Sequence, residues 1–411
     1  MKNKKVTSDY GISKLGWSVL AAQSAEQLSL ATAPLLAVLL FDANAGQIGL
    51  LTAIQTLPFL LMSIPLGLLA DRIPKRAIML AGETLRAVSL VLMLVLFLTS
   101  KLSICWLAIL GFTGATGTVG FNIASPGLIT SLVPRDLLSK ANARVELARS
   151  SAFSAGPALA GTLVAWAGAS NAFLLAIVLS IIAILIIWRI RPDLPFTKVK
   201  HRHPFIEIAE GAIFICKNPI LRQIIIVGLI FNVSWFILQA VYIPYAVHTL
   251  GLNAQLIGGT MAMYGLGMVT GSLITHRVGH VIFSWRVIQV GPLSGFLAAL
   301  SLALTLIQPT YLFAGLCFFL LGAGPMMWTI TTTTLRQNIT PDNLIGRVTS
   351  VFLTVNAGAR PIGAALGGVL GTHYGNTVAI LIALAGFFLQ ATVCLYLPIS
   401  SLRELTINKS K

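Results

Sequence analysis

Apolar runs of about 20 residues, the length that crosses a hydrocarbon core as a helix, recur along the whole 411-residue chain. They lie near 15–41, 47–70, 77–99, 103–132, 145–167 and 171–190, and then near 221–247, 253–275, 286–307, 310–334, 348–372 and 377–398. Only 10% of the residues are charged and 56% are hydrophobic, whereas a soluble domain carries about 25% charged residues. The pattern therefore predicts an all-α, polytopic membrane protein with twelve transmembrane helices and a lipid bilayer as its solvent. The basic start, Met1 to Lys5, precedes an apolar run of about 25 residues. That is too long for a signal-peptide core, so the first run is expected to span and not to be cleaved.

Charge sets the topology. A formal charge of +16 would suit nucleic acid in a soluble chain, but here the cations sit in short loops between apolar runs, so no nucleic-acid partner is expected. Twenty-six of the 28 Lys and Arg residues fall on one side of the predicted spans. The exceptions are Lys101, in an outer loop, and Arg360, inside a span. The positive-inside rule then puts both termini in the cytoplasm of a prokaryote's inner membrane. Three units are expected: a six-helix bundle over 1–190, a basic linker over 191–220, and a second bundle over 221–411. Within the linker, residues 205–214 read as a short amphipathic helix lying at the interface.

The halves repeat. Pro134 and Pro341 are 207 residues apart, and the same offset relates Leu137 to Leu344, Gly156 to Gly363, Leu159 to Leu366, Gly161 to Gly368, Leu163 to Leu370 and Gly168 to Gly375. Two pseudo-symmetric bundles follow from such a repeat, with a cavity on the axis between them.

Between the second and third runs stands a charged knot, Gly67-Leu68-Leu69-Ala70-Asp71-Arg72-Ile73-Pro74-Lys75-Arg76. Its spacing, Gly-x-x-x-Asp-Arg-x-x-Lys-Arg, resembles the loop between helices two and three of the major facilitator superfamily, with Pro74 where that family has glycine. Physically, Gly67 permits close approach of a helix, Asp71 suits a helix N-terminus, and the cations hold the loop in the cytoplasm. Asp71 is expected to face the eleventh helix near Arg347 to Ser350 and to close the cytoplasmic side. The second half has no acid at the matching position after Gly271.

In the fifth run, Gly156-Pro157-Ala158-Leu159-Ala160-Gly161 resembles the Gly-Pro-x-x-Gly-Gly motif of exporters in that superfamily, with Ala160 for one glycine. Its small residues are expected to meet Gly265, Gly267 and Gly271 of the eighth span; the same residues also suit ordinary packing. The loop Leu132 to Ala143, with Arg86, is similar to the branch holding macrolide-efflux pumps and the enterobactin exporter. That resemblance implies proton-driven efflux of an amphipathic, drug-like or siderophore-like molecule by alternating access. An uptake permease of the same fold and a transport-inactive receptor are the alternatives.

Glu83 with Arg86, and Glu146 with Arg149, are i,i+3 pairs near the cytoplasmic ends of their helices, read as gate ion pairs or as mutual neutralisation at the interface. Glu26 lies about 15 Å into the first span at 1.5 Å per residue, flanked by Gln23 and Gln27. A carboxyl at that depth is a candidate proton carrier, or else a paired structural charge. Arg360 sits at similar depth and needs either Glu26 or an anionic substrate as its partner. Asn122, Asn232, Trp235, Gln239, Tyr242, Trp328 and Asn356 are candidates to complete a substrate pocket.

No enzyme activity is expected, because the six histidines do not cluster inside spans, and no metal site, because Cys105, Cys216, Cys317 and Cys394 show no ligand spacing. With no phosphate-binding loop in the sequence, the proton gradient and not a cofactor is the expected energy source. The chain is expected to act as a monomer.

Overall fold

The computed structural model describes residues 2–70, 72–132, 138–190, 204–278, 284–341 and 344–395. The first half comprises α1 (Lys2–Phe41), α2 (Ala45–Leu61), α3 (Ser63–Ala70), α4 (Lys75–Leu98), α5 (Ile104–Leu132), α6 (Leu138–Ala167) and α7 (Ala169–Trp188). A linker helix α8 (Pro204–Lys217) leads to α9 (Pro219–His248), α10 (Ala254–Val278), α11 (Ser284–Leu304), α12 (Tyr311–Ile339), α13 (Ile345–His373) and α14 (Asn376–Leu395). Among the described residues, nine helices are long and apolar enough to cross a membrane. Of the twelve expected spans, α6 and α13 are 30 and 29 residues long but are diluted by polar side chains such as Arg149, Asn356 and Arg360. The remaining one is broken.

That break divides the second span into α2 and α3 at Met62. Pro65 has no N–H to return to Leu61 and its ring crowds that carbonyl, so the helix ends and restarts with Pro65 in the tolerated first turn. Other ends are set by local chemistry. Asn44 and Gln47 form a reciprocal capping box at α2, with bonds of 3.0 and 3.1 Å, and Asn218 caps α9 ahead of Pro219. Gly168 and Gly375, one repeat apart, take φ of +82° and +86° at the turns into α7 and α14, a conformation that favours glycine.

Packing follows the repeat as well. Helices α1, α4, α5, α6 and α7 pack among themselves, as do α9 to α14, while the halves meet along α2 with α13 and α6 with α10. Gly161 of α6 touches Gly258 of α10, and its repeat partner Gly368 of α13 touches Gly49 of α2. Likewise Gly156 packs on Gln27 of α1 and Gly363 on Val233 and Phe236 of α9. Each pair of contacts maps onto the other by the same two-fold relation. Large apolar side chains such as Val88, Val91, Leu92 and Val95 on α4 face outward at helical spacing, as lipid contact requires. Trp17, near the start of the apolar span Ser13–Phe41, and Trp166 and Trp188, at the ends of α6 and α7, are exposed, at positions where aromatic belts form.

Both glycine seams lie toward the face where α1, α9 and α13 end, here called the far face. The opposite, knot face carries the end of α3 and the starts of α4, α9 and α13. Gly161 meets Ala254 and Gly258, and Gly258 in turn meets Pro157; Gly161 does not meet Gly265, Gly267 or Gly271. The helices cross near the far face, and deeper along α10 Gly267 and Gly271 turn to Phe319 and Ala323 of α12.

Candidate substrate cavity

Between the halves lies a cavity of about 570 Å³, within the size range of small-molecule sites. It reaches from Pro34 and Ile243, near the glycine seams, to Thr333, Arg336 and Phe352, close to the knot-face ends of α12 and α13. Among the described residues it is closed at the seams and opens toward the knot face. Its walls are aromatic, with Phe59, Phe153, Phe231, Trp235, Phe236, Tyr242, Tyr264, Phe318, Trp328 and Phe352 contributing. Trp235 stacks on Tyr264 with centroids 5.3 Å apart, and Tyr242 meets Phe318 edge-on at 4.6 Å.

The charged lining is Glu26, Arg86, Arg336 and Arg360. Glu26 and Arg360 both sit roughly 20 Å from the far-face ends of their helices at 1.5 Å per residue. No ion pair joins them among the described residues. The Arg360 guanidinium instead lies 5.5 Å from the Phe59 ring centroid and 5.9 Å from that of Phe236, so the two halves share it through cation–π contacts. Its Nε is buried with no hydrogen-bond partner. Glu26 accepts a 3.1 Å bond from Gln23 Nε2, which also lies 3.4 Å from Asn122 Oδ1. Gln23 and Asn122 thus stand behind Glu26 and do not line the cavity, because they face the α1–α5 contact.

Of the other pocket candidates, Trp235, Gln239, Tyr242, Trp328, Asn232 and Asn356 line the cavity. Asn232 Nδ2 bonds Asn356 Oδ1 at 3.2 Å and Gly228 O at 2.9 Å, which ties α9 to α13. Tyr242 shares a hydrogen bond with Thr260.

The gate candidates fall apart in this conformation. Glu83 and Arg86 are buried, at 0% and 2% exposure, well inside α4 and not at its end. Arg86 Nη1 bonds Ala22 O of α1 at 2.5 Å and Glu83 at 3.1 Å, so this pair braces one half and does not bridge two. Arg76 donates to the last carbonyls of α7, Ile187 at 3.1 Å and Trp188, capping that helix. Lys75 bonds Ala70 O, Arg72 is exposed, and a Cβ on Gly67 would meet open space. Arg347 pairs with Glu210 of α8. Asp71 and the Glu146 side chain lie outside the described residues, and Arg149 lies on α6. Arg76 thus engages its own half.

Sequence reasoning missed Phe59, Phe236, Tyr264, Gln55 and Arg336. Arg336 carries a signal, as the cation two residues past the tenth apolar run, but it reads equally as a loop charge.

Two bundles of membrane-crossing helices around a cavity open to one face define a solute transporter. The chain belongs to the Major Facilitator Superfamily, whose model matches residues 15–364. It is 28% identical to the uncharacterized MFS-type transporter y4rN of Sinorhizobium fredii, over 72% of this chain and 71% of that one. It is 26% identical to the enterobactin exporter EntS of Salmonella typhimurium, over 74% of this chain and 72% of that one. Its fold matches a crystal structure of a bacterial homologue of the iron transporter ferroportin in an inward-facing state, with TM-score 0.70 at 17% identity, covering 94% of this chain and 98% of that one.

Proposed function

We propose that the protein exports anionic, aromatic amphipathic molecules across the inner membrane by alternating access, driven by protons. The observation that carries this is the cavity's charge. Three guanidiniums and one carboxylate line it, and Arg360 holds an unpartnered Nε between two aromatic rings contributed by opposite halves. A cation at that depth costs about 2.5–3.5 kcal/mol on insertion scales, which an anionic cargo offsets, while flat apolar groups pack on the surrounding rings. The sequence likeness to an enterobactin exporter supports efflux. Glu26, bonded within the described residues only to the Gln23 amide, is the proton carrier in this reading. The knot face is cytoplasmic, so this conformation loads cargo from inside. The chain works as a monomer without cofactor or chemistry on its cargo.

The test is efflux from cells expressing the protein, using matched aromatic carboxylates, neutral esters and amines. Export of the carboxylates alone, abolished by a protonophore, is expected. Preferential export of the amines, or inward accumulation of the carboxylates, contradicts the proposal.

A further inference from the structure

Arg336 stands apart from the deep site. It lies one turn before α12 ends at Ile339, at the open mouth of the cavity, and its guanidinium rests over the Phe352 ring, 4.7 Å from the centroid. Its Nε is buried without a hydrogen-bond partner, and among the described residues no carboxylate pairs with it. The hydroxyls of Thr332 and Thr333 share this part of the wall. A cation held flat on an aromatic ring, partly desolvated and short of an acceptor, matches an arylcarboxylate, which brings two oxygens and a ring edge at once.

Phe352 and Arg360 are eight residues apart on α13, so the mouth and deep cations are separated by about 12 Å along the helix axis. We propose that Arg336 with Phe352 forms a second anion subsite, and that the cargo class is an elongated aromatic molecule bearing two anionic groups, one held at each arginine. The proposal rests on the cavity being an anion carrier. It adds that a dianion spans both stations, whereas a monoanion settles at Arg360 alone.

Calorimetric titration of the full chain in lipid nanodiscs tests it with two matched probes, stilbene-4-carboxylate and stilbene-4,4′-dicarboxylate. The dicarboxylate should bind about tenfold more tightly, the scale of one charge-assisted hydrogen bond. Arg336→Gln should erase that advantage and leave the monocarboxylate within about twofold, and Arg336→Lys should keep part of it. Arg360→Gln should weaken both probes. If Arg336→Gln leaves the dicarboxylate unchanged, or weakens both probes alike as a gate residue would, the mouth subsite is overturned while the anion reading stands. If Arg360→Gln alters neither probe, or the wild type binds neither, the anion reading fails and this inference with it.

Discussion

Gly161 on α6 and Gly258 on α10 meet backbone to backbone, and a Cβ on either glycine would stand 2.8 Å from the other's Cα. No side chain fits there without moving the helices. The contact, with its counterpart between Gly49 and Gly368, closes the far end of the cavity and makes its opening to the knot face a property of packing.

Gly161→Val should therefore destabilise the closed far face by about 1–3 kcal/mol, the usual cost of overpacking, and shift the population toward the opposite opening. A single cysteine at Thr52, which lines the cavity, should become reactive to an impermeant thiol reagent from the far side, with exposed Cys105 and Cys216 replaced by serine. Gly67→Ala, into open space, should leave labelling as in the parent. Equal labelling in all three proteins would show that the seam does not govern access.

Removing Arg86 strands a carboxylate, because Glu83 is fully buried against it. Arg86→Ala should cost about 3–5 kcal/mol, read as a large drop in the unfolding midpoint of the purified protein. The double substitution Glu83→Gln, Arg86→Gln should recover much of the loss, since two neutral groups replace one unpaired charge. A double variant no more stable than Arg86→Ala would mean that the Ala22 contact, and not the charge pair, holds α4 to α1.

Much of this architecture is legible in the residues themselves, for stated reasons. Twenty-residue apolar runs have one stable form in lipid, and the 207-residue offset carries Gly161 to Gly368 and Gly168 to Gly375, positions that the structure makes equivalent. The partners of those glycines were not legible. Whether α10 offers Gly258 or Gly267 to α6 depends on helix tilt, which composition does not encode. Depth alone put Glu26 and Arg360 at one level, but not that Arg360 turns to Phe59 and Phe236 while Gln23 and Asn122 turn inward to each other. Spacing groups the gate residues as a set, whereas Arg76 caps α7 and Glu83 pairs with Arg86 inside α4, contacts that no spacing encodes. The knot's acid, Asp71, lies outside the described residues.

Coupling through Glu26 makes its own prediction. In Glu26→Gln the amide oxygen still accepts from Gln23, so the fold should persist, while cargo exchange down its gradient continues and uphill export stops. Efflux measured against an imposed proton gradient decides this. A variant that still pumps uphill with the parent's pH dependence moves the proton elsewhere.

Orientation is checked by single cysteines at exposed helix ends. Lys101, Asn171 and Tyr374 should label from outside intact cells, whereas Arg72 and Lys217 should label only after permeabilisation. Reversal of either group would turn the knot face outward.

In the proposed function, Arg360 is the cargo's deep anchor. The direct measurement is the initial efflux rate of a matched aromatic carboxylate and its methyl ester in cells expressing the parent, Arg360→Lys or Arg360→Ala at equal levels. Carboxylate export should fall at least tenfold in Arg360→Ala, the loss of one charge-assisted bond of about 1.5–3 kcal/mol, and be partly retained in Arg360→Lys, with the ester indifferent to both. Carboxylate export at the parent's rate in Arg360→Ala would make this arginine a packing element between Phe59 and Phe236 and remove the basis for anionic cargo.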